Sequence, residues 1–309
     1  MKLFRSLDSI PPIQGTVVSL GNFDGVHIGH QELIRRTVKS ARIAGLKSAV
    51  FTFSNHPKNV LSGENTVKNI LHLDDKIRII QSLGIEILFL IDFDEYIHHL
   101  GAEEFITELL IGKFNMKEAY CGFNYRFGYQ AAGNPELMTR IGFREGFGIH
   151  VLEPVLVDGI IVSSTLIRER IEAGHLEDCK KYLGRNYSIG GQVVSGRQIG
   201  RTIGFPTTNI HVDETMVIPP NGVYATKCQV NGNWHQSITN VGIKPTVGSK
   251  QKNVETHIFD FNQSIYGHQI QVEFLTKIRE ERLFPDTEAL ARQIQVDVGV
   301  ARDYHLTVR

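Results

Sequence analysis

The strongest constraint on the fold is a change of rhythm along the chain. Through the first half, strand-length apolar runs alternate with segments whose apolar residues recur every three or four positions. The runs fall at 16–20, 47–53 and 85–91, the last apolar except at Glu86. Between the first two, Leu33, Ile34, Val38 and Ala41 share one face of a helix expected over 31–44, and Gly45 supplies its stop. Helical spacing returns at 74–83 and 102–111, and 119–121 reads as a short strand. Asn134-Pro135 opens another helix, with asparagine as cap and proline in the first turn. Apolar strands alternating with amphipathic helices predict an α/β unit: a parallel, doubly wound sheet covered on both faces.

Near residue 184 the helical rhythm stops. The segments 189–194, 223–230, 235–241, 254–261 and 269–278 read as strands separated by Gly, Asn and Pro turns, and Asn231-Gly232 is a hairpin signal. A helix over about 287–298 follows. The second half is therefore expected to be β: an antiparallel barrel with a C-terminal helix. A length of 309 residues suits two domains, expected at 1–184 and 185–309 after a helical link over 176–183.

Composition narrows the partners. With 33 basic and 33 acidic residues, the chain lacks the field of a generic binder of nucleic acid or acidic membranes. Cys121, Cys179 and Cys228 are odd in number and far apart, which predicts neither a disulfide framework nor a zinc site and suits a reducing cytoplasm. The N-terminus lacks the apolar core of a signal peptide, and 85–91 is far short of a membrane span. A soluble, cytoplasmic protein is expected, its oligomeric state left open.

The densest chemistry lies in Gly21-Asn22-Phe23-Asp24-Gly25-Val26-His27-Ile28-Gly29-His30, between the first expected strand and helix. In a doubly wound sheet such a junction opens at the carboxyl ends of the strands, where ligands bind. The unpaired N–H groups of a starting helix favour phosphate, and glycines let the backbone approach a triphosphate. His27 and His30 add donors for charge that shifts during transfer. The same residues also suit a plain turn, and their spacing suits zinc, though no third ligand is apparent.

In this setting the segment resembles the HxGH nucleotidylyltransferase superfamily, and Asn22-Phe23-Asp24-Gly25 narrows the resemblance to prokaryotic FAD synthetases. Further landmarks of that family follow in order. Phe51-Thr52-Phe53-Ser54-Asn55-His56-Pro57 resembles its TFxPHP segment, with Asn55 where proline is usual. Gly122-Phe123-Asn124-Tyr125-Arg126-Phe127-Gly128 resembles its flavin and nucleotide loop, and Ser163-Ser164-Thr165-Leu166-Ile167-Arg168 its SSTxIR motif. The resemblance implies a Rossmann-like domain that joins FMN to ATP, with His27 and His30 catalytic. It implies ATP and FMN binding by Gly21, Asn22, Phe23, Asp24, Gly25 and Gly29, and by Asn124, Ser163, Ser164, Thr165 and Arg168.

The second half carries Gly196-Arg197-Gln198-Ile199-Gly200-Arg201, then Gly204-Phe205-Pro206-Thr207-Thr208-Asn209. Glycine-rich segments near basic residues can wrap a nucleotide, though barrel turns use glycine as readily. With Pro-Thr-Thr-Asn they resemble the riboflavin kinase module and its PTAN motif. Asn221-Gly222-Val223-Tyr224-Ala225, Asn240-Val241-Gly242-Ile243-Lys244-Pro245-Thr246 and Val254-Glu255-Thr256-His257 extend the likeness. Departures are Lys244, where arginine is usual, and Ser195, where histidine is common.

This resemblance implies Mg²⁺ held by Thr207 and Asn209, and Glu255 as general base toward the terminal ribityl hydroxyl. It implies ATP and riboflavin binding by Gly196, Gly200, Arg201, Gly204, Pro206 and Arg279. The whole chain resembles a bifunctional riboflavin kinase/FAD synthetase, with ATP as co-substrate and riboflavin, FMN and FAD as substrates or products. Two alternatives stay open at this level: an FMN adenylyltransferase whose barrel is inactive or regulatory, and a flavin-binding regulator without turnover.

Overall fold

The computed structural model describes residues 1–195, 200, 203–246 and 249–307. The chain divides into two compact units, one of Met1–Asn69 and Leu73–Ser164, the other of Ile70–His72 and Thr165–Arg309.

In the first unit, β1 (Lys2–Phe4), β2 (Thr16–Leu20), β3 (Lys47–Phe53), β4 (Ile87–Ile91), β5 (Met116–Gly122) and β6 (Gly148–Leu152) form a parallel sheet. Their order, β1-β4-β3-β2-β5-β6, reverses direction between β2 and β5. Both β2 and β4 are buried at every position, as expected of strands covered on both faces. The expected strand at 119–121 is longer, and β1 is an addition that apolar patterning could not reveal in three half-exposed residues.

Helix α1 (Ile28–Ala44) starts three residues before the expected 31–44, because His27 caps it. It stops at Gly45, whose φ of 66° lies in the left-handed region that glycine enters without strain. Next come α2 (Pro57–Ser62), α3 (Leu73–Ser82), α4 (Glu95–His99) and α5 (Ala102–Glu104). The helical spacing at 102–111 is α5 continued by a π-helical stretch, Phe105–Lys113, which buries Phe105, Ile106, Leu109 and Leu110. A wider turn suits apolar residues spaced four and five apart. Asn134 caps α6 (Pro135–Glu145), its side chain accepting from Leu137 N–H. Phe114 stacks on Phe89 at 3.9 Å and tilts against Phe51 at 5.5 Å beneath the sheet.

After the short hairpin β7 (Leu156–Val157) and β8 (Ile160–Ile161) come α7 (Ser164–Glu172) and α8 (Leu176–Leu183). The barrel strands are β9 (Tyr187–Val194), β10 (Thr208–His211), β11 (Gly222–Val230), β12 (Asn233–Thr246), β13 (Ser249–Ile258) and β14 (Gln269–Arg279). They close antiparallel in the order β10-β13-β12-β11-β14-β9, and α8 packs on β9 and β14. Strand β10 had no sequence signal, since Thr208-Asn209-Ile210-His211 lacks an apolar alternation. The β11–β12 turn is the expected Asn231-Gly232, both with positive φ, 49° and 84°.

Inside the barrel, Phe274 contacts Tyr187 at 6.2 Å and Tyr224 edge-on at 5.4 Å. Beside them runs a buried hydroxyl ladder: Ser237 to Thr226 at 2.8 Å, Thr226 to Thr239 at 2.8 Å, Thr239 to Thr256 at 2.9 Å. On the outer face Val223, Ala225, Ile238 and Phe259 pack against Ala301. That residue belongs to the C-terminal helix, Thr287–Thr307, which runs well past the expected 287–298.

Candidate active sites

The first site grows from the reversal of strand order. Ligand crevices of open α/β sheets lie outside the carboxyl ends of the strands at such a switch. At this sheet's switch, the loop after β2 carries Gly21 to His27 and the loop after β5 carries Phe123 to Gly128, including Asn124. Phe23 and Val26 take positive φ, 48° and 37°, and Gly25 lies at 77°. This tight turn buries Phe23, Asp24 and His27. His27 then caps α1 by accepting the His30 N–H on Nδ1 at 3.3 Å. A methyl at Gly29 would sit 3.1 Å from the His27 ring, and one at Gly21 would sit 3.2 Å from the Phe23 ring.

The two imidazoles stack at 3.6 Å with 18° between planes, and Phe23 meets His30 edge-on at 5.1 Å. Nδ1 of His30 is buried with no hydrogen-bond partner among the described residues. Burial first, then the neighbouring charges of His27 and Lys76, hold His30 well below the usual histidine range. Lys76 of α3 is itself buried, and Nζ donates to the carbonyls of Asn22 at 2.8 Å and Phe53 at 3.1 Å. Burial pushes its ammonium down to about 8 against the opposing pull of the Asp24 carboxylate. Thr52 Oγ1 donates to the same Asn22 carbonyl at 3.0 Å.

Ser164, at the start of α7, donates its hydroxyl to the Asp24 carbonyl at 2.8 Å. The structure thus joins two sequence motifs 140 residues apart. Ser163 precedes the helix; Thr165 and Arg168 lie on it, in the portion grouped with the second compact unit. Asn55, where the resembled family carries proline, clips the loop after β4. Its side chain accepts from Phe93 N–H at 2.8 Å and donates to Phe93 carbonyl at 3.3 Å, which a proline could not do.

The second site is written in the barrel's register. Val194, Asn209, Glu255, Asn240, Val223 and Arg279 form one lateral row, one from each strand in the order β9-β10-β13-β12-β11-β14. Asn209 and Asn240 therefore flank Glu255 on the outer face, which is also the face of Ile238 and Val223. Oε1 of Glu255 accepts from Nδ2 of Asn253, two residues away on the same face, at 2.7 Å. Oδ1 of Asn209 is buried without a hydrogen-bond partner among the described residues.

Pro206 offers its carbonyl to His257 Nδ1 at 2.8 Å. Gly200 accepts the Phe205 N–H at 2.7 Å, and a methyl there would lie 2.3 Å from the Phe205 carbonyl and 3.3 Å from Thr207 Oγ1. Gly204 has a φ of 87°. Gly196 and Arg201 lie outside the described residues. Arg279 is fully engaged: Nε and Nη2 bind Asp297 of the C-terminal helix at 2.7–3.0 Å, and Nη1 donates to the Glu280 carbonyl at 2.9 Å.

Sequence reasoning passed over Lys76, Asn253 and Asp297. Lys76 carried a signal, standing four residues before Ile80 on the face of α3 that is buried. The other two had none, because their partners are set by strand register and helix docking.

These features define a class: an α/β unit of nucleotidyl-transferring architecture followed by a small closed barrel with its own polar site. The sequence profile of FAD synthetase matches residues 10–166 and that of riboflavin kinase residues 183–305. The chain belongs to the family of bifunctional riboflavin kinase/FMN adenylyltransferases. It is 37% identical to the family's protein from Bacillus subtilis, over 95% of this chain and 94% of that one. It is 32% identical to the one from Escherichia coli K12, over 98% of each. A crystal structure from Streptococcus pneumoniae, described as a macrolide-efflux protein, is similar at a TM-score of 0.89 and 32% identity, over 97% of this chain and 98% of that one. Among the described residues of this chain, no helix is long and apolar enough to cross a membrane.

Proposed function

We propose that this chain builds FAD from riboflavin in two ATP-dependent steps, with residues 1–184 as FMN adenylyltransferase and 185–309 as riboflavin kinase. The observation that carries the reading is the stacked His27–His30 pair at the cap of α1, at the sheet's switch point, in a chain matching both enzyme families.

In the first step of the pathway, Glu255 takes the proton of riboflavin's terminal ribityl hydroxyl. The oxygen bonds to the γ-phosphorus of ATP, the bond to the β-phosphate oxygen breaks, and ADP leaves. Asn253 holds one carboxylate oxygen of Glu255 and so sets its orientation. Thr207 and Asn209 suit Mg²⁺, since the amide oxygen of Asn209 is buried and lacks a partner among the described residues. Bound there, the ion would neutralise phosphate charge. Gly196, Gly200, Arg201, Gly204 and Pro206 are the proposed nucleotide and flavin contacts of this module. Arg279, its nitrogens already engaged, would contribute the stem and plane of its side chain.

In the second step an FMN phosphate oxygen attacks the α-phosphorus of ATP and pyrophosphate departs. The attacking group is already ionised, so positioning and charge stabilisation suffice. Because His27 Nδ1 accepts a backbone N–H, the proton of its ring is on Nε2, which is the atom left to donate. Stacked on it, His30 is held neutral by burial and acts as a second donor. Gly21, Asn22, Phe23, Asp24, Gly25 and Gly29 shape the cradle, and Asn124, Ser163, Ser164, Thr165 and Arg168 complete the proposed ATP and FMN contacts.

The test is a pair of chromatographic assays with ATP and Mg²⁺, one from riboflavin and one from FMN. FAD from both is expected. FAD from FMN alone would leave the barrel without kinase function, and FAD from neither would overturn the reading.

A further inference from the structure

Lys76 is an unusual residue to bury. A lysine shut away from water pays a large desolvation cost unless its ammonium is well bonded. Its two acceptors are not a carboxylate pair but backbone carbonyls, at Asn22 and Phe53. Asn22 is in the loop after β2, and Phe53 is the last residue of β3, so the ammonium bridges the carboxyl ends of two adjacent parallel strands. Directly beyond Asn22 the chain takes the positive-φ turn that buries Asp24 and delivers His27 to the cap of α1. Within the turn the Val26 N–H returns to the Phe23 carbonyl, and the Lys76 ammonium ties the Asn22 end of the turn to the end of β3.

We propose that Lys76 is a positioning residue for adenylyl transfer, its ammonium clamping the Asn22 carbonyl to the end of β3 and so holding the loop that carries Asp24, His27 and His30. The inference rests on the adenylyltransferase reading of this unit. A second consequence is electrostatic. Asp24 from the turn and His30 from α1 interact with the Lys76 charge, while Asp75, on its own helix, pairs with Arg78. A cation at this place opposes a positive charge on His30, adding to burial and to the neighbouring His27, and so favours a neutral His30.

Two substitutions separate the clamp from the charge. Lys76→Met removes both; Lys76→Gln keeps a donor without the charge. With Lys76→Met, FAD formation from FMN should fall about 100-fold, mostly in kcat, as expected when a catalytic loop shifts by an ångström. Phosphorylation of riboflavin by the same preparation should stay within about twofold, which shows that the barrel is intact, and an unchanged far-UV circular dichroism spectrum shows that the α/β unit is folded. With Lys76→Gln the loss should be smaller, but the acid limb of the pH profile should move to higher pH, since His30 then protonates more readily. In the unsubstituted protein, ¹⁵N NMR of the imidazoles should show His30 neutral at pH values where ordinary histidines are half protonated. Unchanged FAD formation and pH profile in both variants would overturn the proposal, as would a His30 that titrates like an exposed histidine. Should the unsubstituted chain make no FAD from FMN, the adenylyltransferase reading itself would fail.

Discussion

Asn209 and Glu255 stand directly opposite one another across the β10–β13 pair, so the amide and the carboxylate share the outer face of the barrel. Nothing in their separation of 46 positions foretells this. One residue of slip in register would send Glu255 into the barrel among Thr239 and Thr226 and dissolve the site.

Glu255→Gln keeps the side chain's size and removes its basicity. Riboflavin phosphorylation should drop by about 100-fold or more, the usual worth of a general base, while FAD formation from FMN persists. Asn253→Ala should produce a smaller loss in the same assay, because it frees the carboxylate to turn without removing it.

His30→Ala should show the mirror image. FAD formation from FMN should fall by about 100-fold or more, on the scale of losing a transition-state donor, with riboflavin phosphorylation unaffected. Chromatography of both reactions from one preparation checks the split.

Asp297→Ala leaves the Arg279 guanidinium without its carboxylate in a largely buried setting. Removing one partner of such a pair costs about 3–5 kcal/mol. Urea unfolding should show a barrel transition at lower denaturant, and Asp297→Asn should restore part of the difference.

Thr239→Val deletes the middle of the hydroxyl ladder. Thr226 keeps Ser237, but Thr256 Oγ1 loses the side-chain partner it has among the described residues inside the barrel. Destabilisation of about 1–3 kcal/mol is expected from leaving a buried hydroxyl unsatisfied, read from the same unfolding curves.

The buried Lys76 ties stability to pH with a definite sign. Its folded value of about 8 lies below the ordinary 10.5, so between those values the unfolded chain binds the extra proton. The penalty is present in full below about pH 8 and is relieved as pH rises to 10.5. The unfolding free energy of the unsubstituted protein, minus that of Lys76→Met, should therefore climb across this window by up to about 3 kcal/mol. A flat difference would mean that Lys76 is solvated in the folded state.

Much of the backbone was legible because it is governed locally. Gly45 ends α1 and Asn231-Gly232 turns β11 into β12, since only certain residues take positive φ cheaply. The apolar runs 16–20, 47–53 and 85–91 contain the buried central strands for the same kind of reason. What escaped were elements with no pattern of their own. Strand β10 exists only because β9 and β13 pair with both its edges, and the π-helical stretch after Glu104 only because the sheet receives its wide apolar face.

The sequence by itself determined the order of motifs, the two rhythms of the chain and the residue types that meet phosphate. Only the tertiary structure decided which of those residues are neighbours and which are stripped of water. It stacked His27 on His30, placed Lys76 beneath Asn22, engaged Arg279 with Asp297 and set Asn209 beside Glu255. The reason is physical: dihedral preferences and apolar spacing act over a few residues, whereas desolvation and cross-strand register arise only when distant segments exclude water together.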